Sequence, residues 1–237
     1  MTFDLLIIGS GLSGLFAGCL AARRGKKAVI LSRGIGSTHV GAGTIDVGNN
    51  SSLVNHPPLH HPYSLAGKKT LAAALDEFKI ICAEAGYPMR GELGANWTLP
   101  TAAGSTRQTC LAPETMIGGD LGRNVPFALA QLPGFRDFSA ALAAANLKAC
   151  VITLPLPHTP TLPHTTATDL AHLFDRADYR DQLIAAWKPL LKDAPKRIGI
   201  PAVLGLEQPL IAKQHLDSEL GIELFEIPIL PPSVPGM

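Results

Sequence analysis

The hydrophobic pattern changes period several times along the chain. Residues 5–22 carry no charge. That run approaches the roughly 20 residues of a bilayer span, but glycine interrupts it at positions 9, 11, 14 and 18. The run therefore splits. Residues 3–8, FDLLII, predict a short strand rich in apolar residues. LFAGCLAARRG predicts a helix ending near Gly25, and KAVILSR a second strand. A secretory leader would begin with basic residues, whereas Asp4 comes first here.

Further along, residues 49–66 form a polar, proline-rich connection. Its His56, His60 and His61 read as surface residues, because the prolines break any regular ligand spacing. Residues 68–86 place Leu71, Leu75, Phe78 and Cys82 on one face, which predicts an amphipathic helix closed by Gly86. Residues 87–133 are rich in glycine, threonine and proline, with Gly118, Gly119 and Gly122 at turns. They predict short strands in an inserted substrate or cap region. Then come a helix over 135–147, a strand over 148–155 and a loop through PLPHTPTLPH. Two helices follow, over 167–177 and 178–192. A buried strand IGIPAVLGL, a helix QPLIAKQHLDSELG and a strand IELFEIPIL complete the pattern. This order implies an α/β fold: a Rossmann-like, doubly wound parallel sheet with an inserted β-rich cap region. The expected divisions are 1–86, a dinucleotide-binding part; 87–133, the inserted region; and 134–237, a second α/β part.

Strand, glycine turn, helix and strand fit within about 30 residues at the N-terminus, the span of a dinucleotide-binding unit. In G-S-G-L-S-G, Gly9 permits the tight turn out of the strand. Gly11 offers backbone without a Cβ to an approaching pyrophosphate. Gly14 lets the helix lie close on the sheet. Helix N–H groups without intrahelical partners, with about half a unit of positive charge, stabilise an anion there. Gly9, Ser10, Gly11, Leu12, Ser13 and Gly14 are the candidate phosphate cradle. A second strand of this kind usually ends in an acid that takes the adenosine ribose. Here it ends Leu31-Ser32-Arg33-Gly34, and no Asp or Glu occurs between Asp4 and Asp46. Ser32 and Arg33 are the candidates for the ribose or a phosphate. Arg33 leaves room for NADP, or for the phosphate of FMN.

The segment STHVGAGTIDVG, residues 37–48, is built of small residues. Such a segment can lie flat against a planar ring, with Gly41, Ala42, Gly43 and Thr44 lining it and His39 just before. Arg107, in GSTRQT, is the candidate clamp for a phosphate or carboxylate, since its guanidinium is a fork of donors.

Composition narrows the chemistry. A formal net charge of +1 argues against nucleic acid as the main partner. Hydrophobic residues make up 46% of the 237, enough for a real core, but aromatics only 5%, so aliphatic side chains must fill it. Charged residues are only 16%, which suits a surface that rests against a partner. Cys19, Cys82, Cys110 and Cys150 are too far apart for a metal or iron–sulfur motif and read as reduced thiols of a cytosolic protein. No metal ligands are expected, and no Ser-His-Asp order or carboxylate pair points to a hydrolase.

The two glycine segments together resemble the B subunits of anaerobic glycerol-3-phosphate dehydrogenases, flavoproteins related to those of fumarate reductase and succinate dehydrogenase. GSTRQTCLAPETM, GFRDFSAALAAANL, TATDLAHLFD, RIGIPAVLGL and IPILPPSVPG extend the resemblance over the whole chain. It implies FAD as cofactor, with FMN as the alternative, and sn-glycerol 3-phosphate as the molecule oxidised. It also implies a catalytic A-type flavoprotein subunit and an iron–sulfur C-type subunit as partners, with electrons passing to membrane quinone. The location implied is cytoplasmic, or peripheral on the inner face of the membrane through a partner subunit. In the succinate dehydrogenase relatives a histidine near position 39 can carry flavin covalently. Family members continue past PPSVPG, so the chain is expected to match the N-terminal portion of a longer flavoprotein, its C-terminal half missing. Two other readings stay open: an NADP-dependent oxidoreductase, and a non-catalytic assembly subunit.

Overall fold

The computed structural model describes residues 2–36, 41–48, 51–157 and 165–229, with 51 and 52 as backbone alone. The chain divides into two compact units, Met1–Gly43 and Thr44–Met237. Among the described residues, no helix is long and apolar enough to cross a membrane.

The first unit is strand, helix, strand. β1 (Leu5–Ile8) and β2 (Ala28–Leu31) pair in parallel, Leu5 opposite Ala28 and Ile8 opposite Leu31. Between them runs α1 (Leu12–Arg23). A parallel pair needs such a crossover. Gly18 is buried where α1 meets the sheet, and a Cβ there would stand 3.0 Å from Ile30 Cδ1. The apolar run of the sequence is thus broken between β1 and α1, where Gly9 and Gly11 stand, while Gly14 and Gly18 lie within the helix.

Two short helices, α2 (Ser51–Asn55) and α3 (Pro62–Ala66), stand in the second unit where the sequence predicted a polar, proline-rich connection. The His61 ring nitrogen Nδ1 caps α3 by accepting from the Tyr63 amide at 3.1 Å, and Pro62 fills the first helical position. α4 (Lys68–Glu84) is the long amphipathic helix. Short antiparallel pairs follow. β3 (Met89–Arg90) pairs with β6 (Ala112–Pro113), and β4 (Trp97–Pro100) with β5 (Thr106–Thr109). α5 (Glu114–Ile117) and a 3-10 turn at Leu121–Arg123 lead on.

The main sheet is parallel. β7 (Ala128–Gln131), β8 (Cys150–Thr153), β9 (Arg197–Pro201) and β10 (Glu223–Ile227) lie in the order β10-β9-β7-β8. The chain moves outward from β7 to β8, then reverses to the other side of β7 for β9 and β10. α6 (Ala140–Leu147), α7 (Ala167–Asp175), α8 (Ala177–Trp187) and α9 (Pro209–Leu220) connect these strands. β7 lies within residues assigned from sequence to the inserted region; its ALAQ is too short and small to announce a sheet strand. α6 begins at Ala140, not near 135, because Phe135 and Phe138 are buried and the Ser139 hydroxyl accepts from the Leu142 amide. Leu129, Phe174, Leu183, Trp187, Ile198, Ile200 and Phe225 fill the core with essentially no exposure.

Candidate functional site

The three motif glycines stand in three different situations. Gly9 has φ +108°, a conformation that side chains resist, and its amide donates to the Leu31 carbonyl at 2.7 Å. Gly14 packs so closely that a Cβ would lie 2.1 Å from the Gly9 carbonyl oxygen. Gly11 is the N-cap of α1, with φ −71° and ψ 175°, which any residue adopts, and a Cβ there would meet nothing within 4 Å. The backbone needs glycine at 9 and 14. At 11 it does not, and the space over Gly11 is open.

The start of α1 fits an anion. No side chain caps it, and its first turn holds no acid. The first N–H groups of a helix have no intrahelical acceptor. Leu12 and Ser13 are exposed at this end. Gly36 follows closely: a Cβ there would sit 2.2 Å from the Ser10 carbonyl oxygen, so the loop leaving β2 presses on the glycine turn. A diphosphate over Gly11 is the group that such a cradle suits.

At the end of β2, the Ser32 hydroxyl is 2.7 Å from the Ser10 hydroxyl and donates to the Gly34 carbonyl at 2.6 Å. The expected ribose acid is replaced by a serine that ties the two loops together. Arg33 is exposed beside it.

Of the second glycine segment, His39 lies outside the described residues, while Gly41, Ala42 and Gly43 end the first unit. Gly43 has φ +72°. Thr44 begins the second unit, and its hydroxyl oxygen is buried with no hydrogen-bond partner among the described residues. Ile45 pairs antiparallel with Leu111, and Val47 is buried against Val54, Leu75 and Met89. Arg107 reaches across to this segment. Its Nη2 is 2.6 Å from Asp46 Oδ2 and its Nε 3.4 Å from Oδ1. The fork expected to clamp a phosphate is thus engaged by a carboxylate 61 residues away in sequence.

The sequence did not single out two buried polar centres. Glu226, on β10, is 5% exposed. Its carboxylate accepts from the Thr115 hydroxyl at 2.6 Å and the Leu204 amide at 2.8 Å. Burial nevertheless pushes its carboxyl above the usual range, the donors only opposing this. Burial and then Glu226 push the Tyr87 phenol up as well. Arg197 is 3% exposed and donates to the carbonyls of Gly118, Asp120 and Val125, between the rings of Phe127 and Phe225. Burial lowers its pKa. It fastens the 118–125 loop to the sheet. A Glu and an Arg inside apolar strands, ELFEI and RIGIP, were the available signals. The four cysteines are free, and Cys110 is buried, its thiol pushed up by desolvation.

A glycine cradle at a helix start between two parallel strands belongs to dinucleotide-binding flavoproteins and dehydrogenases. Residues 4–237 match the family model described as FAD binding domain, and the chain belongs to that family. Its α/β fold with parallel sheets is the one membership implies, and FAD is the cofactor it assigns. The chain is similar to proteins named as the B subunit of anaerobic glycerol-3-phosphate dehydrogenase. It is 30% identical to that of Pectobacterium atrosepticum over 265 residues, covering all of this chain and 62% of the relative. It is 30% identical to that of Haemophilus influenzae strain PittEE, with 100% and 62% covered. For Mannheimia succiniciproducens the identity is 27%, with 100% and 61% covered. The chain thus spans about three fifths of the length of these relatives. No solved structure matches it significantly.

Proposed function

We propose that this chain is the FAD-binding portion of a B-type subunit of an anaerobic sn-glycerol-3-phosphate:quinone oxidoreductase. The observation that carries the reading is Gly11. Neither backbone conformation nor packing demands glycine there, so the open space serves what approaches the uncapped start of α1. Gly9, Ser10, Gly11, Leu12, Ser13 and Gly14 hold the pyrophosphate. Ser32 and Arg33 face the adenosine end. Gly41, Ala42, Gly43 and Thr44 lie along the isoalloxazine ring, with His39 beside them. Bound FAD supplies electron transfer. The residues bind and orient it, the helix start neutralising the diphosphate. FAD is favoured over FMN and over NADP by family membership.

The relatives' names support glycerol 3-phosphate as the molecule oxidised and a multi-subunit assembly as the setting. The partners we propose are an A-type flavoprotein subunit and an iron–sulfur C-type subunit, through which the chain rests on the inner face of the membrane. The doubly wound arrangement is part of the same proposal, supported by the parallel sheets and the reversal of strand order at β7.

The test is FAD titration of wild type and Gly11→Val, with thermal unfolding measured on both. Gly11→Val is expected to keep its melting temperature within a few degrees and to lose at least about tenfold in FAD affinity, because a branched side chain fills the diphosphate space. Equal affinities, or a colourless wild type that takes up no FAD, would sink the reading.

A further inference from the structure

The second unit carries a cleft that the FAD reading leaves unused. Its volume is about 510 Å³, within the roughly 300–1,000 Å³ of small-molecule sites. It lies at the N-terminal ends of three neighbouring strands: Phe127 leads into β7, Cys150 opens β8 and Arg197 opens β9. Every residue lining it belongs to Thr44–Met237. We infer that this cleft binds a small organic acid, its carboxylate held by Lys148 beside the buried charge of Arg197 and its apolar body against Leu121, Val125 and Leu147.

Charge is the first argument. The lining holds two cations, Lys148 and Arg197, and no acid. Four of the five N–H donors of Arg197 go to carbonyls, and the remaining one, on Nη1, has no acceptor among the described residues. The acids whose charge reaches Arg197 are engaged elsewhere: Glu223 by Arg123 at 2.7 Å, and Asp120 by the amides of Thr98 and Gly122. The Lys148 ammonium makes no hydrogen bond or ion pair among the described residues. A cleft of one sign with apolar walls concentrates the opposite charge. One guanidinium N–H and one ammonium suit the two oxygens of a carboxylate, whereas a phosphate would leave further oxygens unpaired.

Backbone is the second argument. Among the described residues, His60, Asn124 and Lys148 are the three that carry a side chain at positive φ, and two of the three line this cleft. Lys148, at φ +55°, closes α6 where glycine is the unstrained choice. A lysine there costs stability, and such strain gathers at binding sites. A cation at this place also offsets the carbonyl end of α6; glycine and glutamine at 148 separate that role from binding.

The test titrates hexanoate, the neutral hexanamide and inorganic phosphate into the isotope-labelled 237-residue chain. Amide shifts and melting temperatures are followed in wild type, Lys148→Gly and Lys148→Gln. Hexanoate should move the amides of Asn124, Val125, Lys148 and Cys150 with a dissociation constant of about 1 mM or below. It should also slow alkylation of the exposed Cys150 thiol. Hexanamide and phosphate should each bind at least about tenfold more weakly. Lys148→Gly should melt higher, yet bind hexanoate about tenfold more weakly. Lys148→Gln should lose affinity alike with its fold intact. A lysine that serves only the helix end would change melting and leave the affinity where it was, which overturns the inference. So would equal binding of hexanoate and hexanamide, tighter binding of phosphate, or no shifts at the cleft. None of these residues takes part in holding FAD, so uptake or refusal of FAD leaves the result standing.

Discussion

At the scale of single residues, the glycine motif separates into roles that different substitutions can tell apart. Gly14→Ala drives a methyl group against the Gly9 carbonyl, a backbone atom that cannot swing aside. It should cost about 1–3 kcal/mol, read as a lower denaturant midpoint at unchanged slope. Gly11→Ala should leave that midpoint nearly unmoved. Glu226 gives a pH dependence. Its folded pKa is raised by burial, so the folded state holds its proton more tightly than the unfolded chain does. Its contribution is therefore complete below the usual glutamate range and falls as pH rises toward the folded value. Urea midpoints between about pH 5 and 9 should decline in wild type and decline less in Glu226→Gln, which keeps the shape without the charge. Parallel slopes would mean that Glu226 does not control the profile.

At the scale of elements, caps and turns decide where helices begin. Thr166 and Asp169 form a reciprocal capping box at the start of α7: the Thr166 hydroxyl accepts from the Asp169 amide, and the Asp169 carboxylate accepts from the Thr166 amide. Hydrogen bonds from Thr166 hold the Asp169 carboxyl below its ordinary range, so its small contribution is lost as pH falls through that range. Thr166→Ala should lower stability by about 1 kcal/mol at neutral pH, and by less in acid, measured by thermal melts. Asp175 prepares α9 in a related way, its carboxylate accepting from the amides of Leu206, Glu207 and Gln208. A Cβ at Gly205 would stand 2.4 Å from that carboxylate. Most of these elements are readable in the chain: TATDLAHLFD carries its cap and its apolar face within ten letters. The helix start at Ala140 was harder, because FRDF has helical residues but spends its two phenylalanines in the core.

At the scale of the whole molecule, the second unit has the conventional core of a parallel sheet. Trp187 is fully buried, its ring N–H donating to the Pro155 carbonyl at 2.7 Å. Trp187→Ala should cost about 3–5 kcal/mol. The drop in melting temperature should be far larger than that from a surface change such as Lys192→Ala. The first unit is smaller, and Leu6, Ile8 and Ile35 are exposed on it. Ligand binding stabilises a folded state by mass action. FAD should therefore raise the temperature at which the unit carrying the glycine cradle unfolds, and inorganic phosphate should do so far less.

By itself the sequence determined what depends on neighbours a few residues apart. The strand, glycine turn, helix and strand at the N-terminus follow from local period and from the need for glycine at Gly9. So do α4, α7 and α9. Tertiary structure decided what depends on residues far apart. It set Arg107 on Asp46, gave β7 to the parallel sheet, put Ser32 on Ser10 and closed Glu226 inside with Thr115. A side chain's partner is chosen by packing in space, and no periodicity along the chain encodes a contact between residues 61 or 111 positions apart.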